Sequence, residues 1–239
     1  MYKEKQAGWG ILALLMVLAL SAWASALPSG VDFIYNQTLN YTPQSAAELT
    51  TAGGSFTTMS LNITAQSLRW KAYVGNVTGI MTLNDAVNNT IYDWTPSIVT
   101  GEIFASRAGT LNWALTECAD AADMSGEMTA INMNADSADS LNNTFNASFH
   151  KAFYVGTVSI PQNDCFAIAT YVNDTRQAAG PTALFQEILL TDTSSLFYAT
   201  IIENNKYGFN NQLYDFQLIL ANDEFASSPT TYYFFAEIG

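Results

Sequence analysis

Residues 67–85 read SLRWKAYVGNVTGIMTLND, and their alternation decides the fold class. Leu68, Trp70, Ala72 and Val74 fall on one side of an extended chain, with Arg69, Lys71 and Tyr73 on the other. That is the period of two expected of a β-strand with one wet face. After Gly75-Asn76 the pattern resumes through Val77, Gly79, Met81 and Leu83, which predicts a β-hairpin turning at the sequon Asn76-Val77-Thr78.

The same signature recurs outward from this stretch. On the N-terminal side, residues 55–64 and 31–35 have strand composition, separated by two sequons and a polar run. Residues 31–35 lie near the free end of the exported chain and are only loosely tied to the strands after them. Val31, Phe33 and Tyr35 are therefore a candidate donor strand, one that completes the sheet of another copy. On the C-terminal side, strands are expected over residues 91–94, ended by Pro96, then 101–106 and 110–115 around a turn at Ala108-Gly109. Six more are expected over 152–160, 165–172, 183–190, 196–203, 213–220 and 230–238. Turns at this spacing imply an all-β protein of about a dozen strands: a two-layer β-sandwich of jelly-roll type, or two small sandwiches sharing a crossover. The crossover is residues 117–148, rich in Ala, Asp, Asn, Ser and Met. There Met128, Ile131, Ala135, Ala138 and Leu141 approximate a helical stripe, so a short helix or ordered loop is expected. The run Thr230-Thr231-Tyr232-Tyr233-Phe234-Phe235 is apolar on both faces, so the last strand is central or covered by a partner.

Composition narrows the role. Hydrophobic residues make up 49 % of the 239, enough for a substantial core, while only 12 % are charged, so the solvated surface is built from Asn, Thr, Ser and Gln. Lys3 and Lys5 precede an apolar run centred on residues 11–20, and Ala24-Ser25-Ala26 supplies a small-x-small cleavage pattern. Residues 1–26 are read as a signal peptide cut after Ala26, with an uncleaved N-terminal anchor as the alternative. Either arrangement places residues 27–239, the β-sandwich domain, outside the cell. The net charge of −13 becomes −14 once that segment is removed, which argues against nucleic acid and against an anionic membrane surface. A membrane enters only through an uncleaved anchor.

Cys118 and Cys165 are the only cysteines, an even number in an oxidising compartment, and are expected to form one disulfide. It would close a loop of about 48 residues, worth roughly 4 kcal/mol in the chain-entropy treatment. Eight sequons, at Asn36, Asn40, Asn62, Asn76, Asn88, Asn142, Asn146 and Asn173, fall mostly at expected turns and strand ends and point to N-glycosylation.

Catalytic signals are sparse. His150 is the only histidine, stands in no nucleophile motif, and is read as an exposed residue before a strand. Glu102, Glu187 and Asp192 lie on or beside expected strands, where two carboxylates at glycosidase spacing would be needed for hydrolysis. Asp120, Asp123, Asp136 and Asp139 offer oxygen ligands to a structural Ca²⁺, without EF-hand spacing, and no other cofactor is expected. Trp70, Trp94, Tyr232, Tyr233, Phe234 and Phe235 are candidate sugar-facing aromatics, although strand spacing favours a packing role.

Several segments together resemble a family of secreted archaeal β-sandwich surface glycoproteins with no assigned activity. They are Arg69-Trp70-Lys71-Ala72-Tyr73-Val74-Gly75-Asn76-Val77-Thr78-Gly79, Ile91-Tyr92-Asp93-Trp94, Gly101-Glu102-Ile103-Phe104-Ala105-Ser106, Tyr154-Val155-Gly156, Tyr171-Val172-Asn173-Asp174-Thr175, Tyr214-Asp215-Phe216-Gln217 and Thr230-Thr231-Tyr232-Tyr233-Phe234-Phe235. Residues 31–35, the sequons and the all-β pattern are more loosely similar to archaeal filament subunits, pili or threads in which an N-terminal strand completes the next subunit's sheet. The expectation is a non-enzymatic, extracellular or cell-surface structural glycoprotein that associates with itself or with other surface proteins. The alternative is a secreted carbohydrate-binding or adhesion module with glycans as partners.

Overall fold

The computed structural model describes residues 27–223 and 229–239, apart from 44, 47, 49, 51, 52, 55 and 179. The expected signal peptide and its cleavage point at Ala26 lie outside the described residues. Within them the protein is an all-β, sandwich-like fold of fifteen strands, every paired strand antiparallel, with two short α-helices.

A seven-stranded sheet forms its centre, in the order β1 (Ser29–Gly30), β15 (Tyr233–Ile238), β5 (Gly101–Ser106), β11 (Leu196–Ile201), β10 (Gln186–Thr191) and β6 (Glu117–Cys118), with β9 (Ala167–Ala169) also paired to β10. Every residue of β10 and β11 is buried, because both faces of the sheet are covered. Asp192 closes their hairpin: its carboxylate accepts hydrogen bonds from the Ser194 and Ser195 amides at 3.0 and 2.8 Å, and from Asn112 N at 2.8 Å. The last strand is covered on both faces and lies one place from the sheet edge. Phe234 packs into the core on one side of the sheet and Phe235 into the core on the other.

One face is covered by a ribbon of β2 (Trp70–Gly75) with β14 (Phe216–Ala221), together with α1 (Ala121–Ala130) and α2 (Leu141–Thr144). Leu218 and Leu220 from the ribbon, Met124 and Met128 from α1, and Leu141 and Phe145 from the α2 segment meet Ala105, Leu189 and Tyr198 from the sheet. Each fully buried side chain of this size contributes about 1.5–3 kcal/mol. The short helix expected in the crossover is present but does not follow the expected stripe: α1 ends at Ala130, Ile131 is its C-cap, Ala135 and Ala138 are exposed between the helices, and Leu141 opens α2. Asp120 accepts from the Ala122 and Asp123 amides, and Asp123 accepts from the Asp120 amide, a capping box that sets the start of α1. Arg107 holds α1 to the sheet by a two-pronged pair with Glu127, both bonds 2.7 Å.

The opposite face is covered by a hairpin of β7 (Phe153–Val155) and β8 (Val158–Ile160), which adds Phe153, Val155 and Ile160 to Phe104, Ile188, Leu190, Phe197 and Ile201. The expected disulfide Cys118–Cys165 is present here, with Cα atoms 4.9 Å apart, and ties β6 to the segment leading into β9. A small ladder of β12 (Lys206–Tyr207) and β13 (Leu213–Tyr214) stands apart.

Several expectations fail. No hairpin forms at Gly75-Asn76: β2 pairs with β14, and neither turn residue adopts the positive φ that a two-residue hairpin requires. The hairpin of this region comes later, between β3 (Met81–Asn84) and β4 (Thr90–Trp94), where Asn88 has φ 66° and Asp85 accepts from the Val87 and Asn89 amides. Tyr73, read as wet, packs edge-on against Phe234 at 5.3 Å. Residues 31–35, the described residues of 55–64, and residues 110–115 form no strand. Only a 3₁₀ turn, Trp113–Leu115, appears in the last of these.

Candidate functional site

β1 leaves its sheet early. Ser29 pairs with Ala236 and Gly30 with Phe235, and there the pairing stops. The next residues run on in the open: Phe33 is 67 % exposed, Ile34 88 % and Tyr35 76 %. Phe33 still touches the sheet, edge-on to Phe234 at 5.5 Å. The candidate donor strand is thus tethered at its start and unpaired along its length. Residues 56–63 behave alike, with Phe56, Met59, Leu61 and Ile63 all exposed.

The margin beside this segment is open. On the ribbon's far side, Glu187 accepts a hydrogen bond from Ile219 N at 2.8 Å, and Gln217 donates to Thr170 Oγ1 and Tyr171 O, so the outer edge of β14 is occupied. β2 has no second strand partner among the described residues. Ile219 stands opposite Ala72, and because its amide points to Glu187, Ala72 turns its own amide to the open side. On β15, β1 uses only Phe235 and Ala236. Tyr73 and Phe234 bring these two incomplete edges together.

The β3–β4 hairpin adds an uncovered apolar face. Met81 stands opposite Trp94 and Leu83 opposite Tyr92, all four exposed, while Thr82 and Asp93 take the other face. Trp94 is 49 % exposed with its ring 5.0 Å from Tyr92. Trp70 is different: it is half-buried, its Nε1 donates to Asp139 O at 2.7 Å, and its ring lies 6.1 Å from Phe145. Tyr232 donates to Ala221 O, and Phe235 packs on Trp113. Tyr233, at the β15 edge, is exposed.

The expected carboxylates divide. Glu187 is completely buried under β14, and burial pushes its carboxyl well above the ordinary range, partly opposed by the Ile219 amide. Asp192 serves the β10–β11 turn. Glu102 faces a partner that sequence does not single out, Glu237, directly opposite on β15. The two line an open cavity of about 370 Å³ at the end of the sheet, with Lys151, Tyr154, Ile201 and Ile202. Glu102 is 8 % exposed, and its carboxyl makes no hydrogen bond among the described residues. Burial, with the nearby Glu237 charge, pushes its carboxyl up to about 8, against the pull of Lys151. Glu237 accepts from Gly156 N at 2.7 Å, and burial raises it too. Lys151 is bound to Glu203 at 2.9 Å. Gly101 forms one wall because a β-carbon there would collide with the Glu237 carbonyl.

His150 is fully buried rather than exposed. Its Nε2 accepts from the Asp164 and Cys165 amides at 3.1 and 2.9 Å, while Nδ1 lies 2.8 Å from Lys151 O, so the ring braces the loop beside the disulfide. Burial holds its pKa below the usual imidazole value. The four crossover aspartates are dispersed: Asp120 and Asp123 cap α1, Asp136 is exposed, and Asp139 binds Arg69 and Ser67 at 2.8 and 2.6 Å. No group of three His, Cys, Asp or Glu among the described residues is placed to hold a metal ion. Seven sequon asparagines are exposed, and Asn142, in α2, is half-buried, its Oδ1 accepting from Ser140.

Glu237 escapes sequence reading because a single acid in an otherwise apolar strand carries no signal until the β5–β15 register is known. Lys151 and Glu203 meet through pairings equally hidden in the sequence. No helix among the described residues is long and apolar enough to cross a membrane. No family model matches the chain, and no curated protein or solved structure matches it.

Proposed function

We propose that the protein is a non-enzymatic, exported and N-glycosylated structural subunit of the cell surface, part of a filament or envelope whose copies join by β-strand addition. The supporting observation is the departure of residues 31–35 from the sheet, apolar side chains outward, beside two incomplete strand edges. An extended chain sends odd and even residues to opposite faces. Val31, Phe33, Tyr35, Leu39 and Tyr41 then share one face, and the sequon residues Asn36 and Asn40 take the other. In residues 56–63, Met59, Leu61 and Ile63 likewise oppose Asn62. Ile34 and Phe56 fall on the sequon face, and glycans there would leave the remaining apolar side chains, on the other face, free to dock. Unpaired edges and apolar exposure on this scale are features that monomeric proteins suppress.

Size-exclusion light scattering and negative-stain microscopy of the exported protein test this. Assemblies are expected for the native chain, and Tyr35→Asp with Leu39→Asp, both at exposed positions, should reduce them to folded monomers. A native chain that stays monomeric at every concentration contradicts the proposal.

A second reading, a carbohydrate-binding or adhesion module, is favoured by the exposed Tyr92–Trp94 pair alone. Glycan-array binding lost on Trp94→Ala would support it, and silence of the native protein would remove it.

A further inference from the structure

We propose that the cavity between Glu102 and Glu237 receives the α-ammonium group that signal-peptide cleavage creates at Leu27. The proposal rests on the expected cut after Ala26. It goes beyond strand addition by giving the acidic cavity a ligand, a primary ammonium, and a source for it.

Three observations converge. Glu102 is more than nine-tenths buried and opens into the cavity, and its carboxyl has no hydrogen-bond partner among the described residues. Lys151 is committed to Glu203, which leaves Glu102 and Glu237 with no cation bound to them among the described residues. The start of the exported chain is also at hand. The β1 register sets Ser29 opposite Ala236, so the buried Pro28 falls beside Glu237, and Leu27 lies one residue, roughly 3.4 Å, further along. The Leu27 side chain lies against Gly156, where an added β-carbon would come within 2.7 Å of it. Gly156 is the residue whose amide holds the Glu237 carboxylate.

Before cleavage the nitrogen of Leu27 is an uncharged amide, and the two glutamates lack a counter-ion. Cleavage of the Ala26–Leu27 bond by water yields the Ala26 carboxylate and the Leu27 amine. That amine takes up a proton below its ordinary pKa of about 8. The ammonium then offsets Glu237 and draws Glu102 toward its ionised form. The charged groups facing it are Glu102 on β5, Glu237 on β15, Lys151 with Glu203, and, in the Leu27–Gly239 protein used below, the carboxylate of Gly239. Tyr154 is the remaining titratable side chain in the lining. The bond would add to the β1–β15 pairing in the processed chain, and would set the angle at which residues 31–35 leave the sheet.

The test uses the chain from Leu27 to Gly239, released from a cleavable fusion so that Leu27 is its first residue. Every core residue among the described residues lies after Leu27. The free-amine protein, the same protein acetylated at the α-amine, and Glu237→Gln in both forms are melted between about pH 5 and 10.5. The α-amine is titrated by NMR. The free amine should raise the midpoint by about 3 °C near pH 7 over the acetylated form, the difference vanishing above pH 9 and in Glu237→Gln. Its titration should be displaced upward. Equal midpoints for the free and acetylated forms, with an ordinary amine titration, would overturn the proposal. N-terminal sequencing of the exported protein judges the cleavage site separately. A first residue other than Leu27 would also overturn the proposal, whatever the melting data.

Discussion

Glu102 on β5 and Glu237 on β15 stand directly opposite each other, both less than a tenth exposed, with no metal-binding cluster among the described residues to share their charge. A carboxyl whose pKa is raised by folding holds its proton longer in the folded chain than in the unfolded one. Stability is therefore full below about 4.5 and is lost as pH climbs toward the folded value of about 8 for Glu102. With the α-amine blocked, Glu102→Gln should flatten this decline and gain roughly 1–3 kcal/mol at pH 8 relative to pH 5. Urea titrations at several pH values measure it. Equal pH slopes for the two proteins would show that Glu102 is not held protonated.

His150 gives the opposite pH sign. Its pKa is lowered by burial, so the unfolded chain takes up a proton that the folded chain refuses, and stability falls as pH drops below about 6.5. His150→Ala also leaves the Asp164 and Cys165 amides without their acceptor and opens a cavity, at a cost of about 2–4 kcal/mol. Chemical denaturation at pH 7 gives the loss, and the same experiment at pH 5 should show a smaller difference from the native chain.

Cys118 and Cys165 close the loop that carries both helices and the β7–β8 hairpin. Replacing both by Ser should cost about 2–4 kcal/mol. The corresponding fall in melting midpoint is about 5–10 °C. Calorimetry of the double variant, with the native protein under reducing conditions as the parallel case, checks this.

Legibility in the sequence tracks local determination. β5 is readable to the residue, because Gly101 and the turn at Ala108-Gly109 bound a run that is apolar enough to be buried on both faces. The disulfide is readable from an even cysteine count read with the expected oxidising compartment. Period two identifies Trp70–Gly75 as a strand but cannot name its neighbour, and proximity suggests residues 77–83 where β14 is the partner. Residues 31–35 and 56–64 have strand composition yet join no sheet among the described residues, which composition cannot reveal. The acidic cavity is invisible for the same reason: Glu102 and Glu237 are separated by most of the domain and meet only through the β5–β15 register.

Arg107 tests how α1 is fastened. Its two 2.7 Å bonds satisfy Glu127, whose side chain is only 7 % exposed, so Arg107→Ala strands a nearly buried carboxylate. A loss of about 1–3 kcal/mol is expected. Arg107→Ala combined with Glu127→Gln should recover part of it, as a denaturation cycle would show.

Amide hydrogen exchange, compared between assembled and dilute protein, tests strand addition most directly. Assembly should slow exchange at residues 31–41 and at the outward amides of β2, Ala72 among them, while leaving β10 and β11 as protected as before. Exchange at residues 31–41 that stays as fast in the assembled protein as in an unfolded peptide would contradict the account.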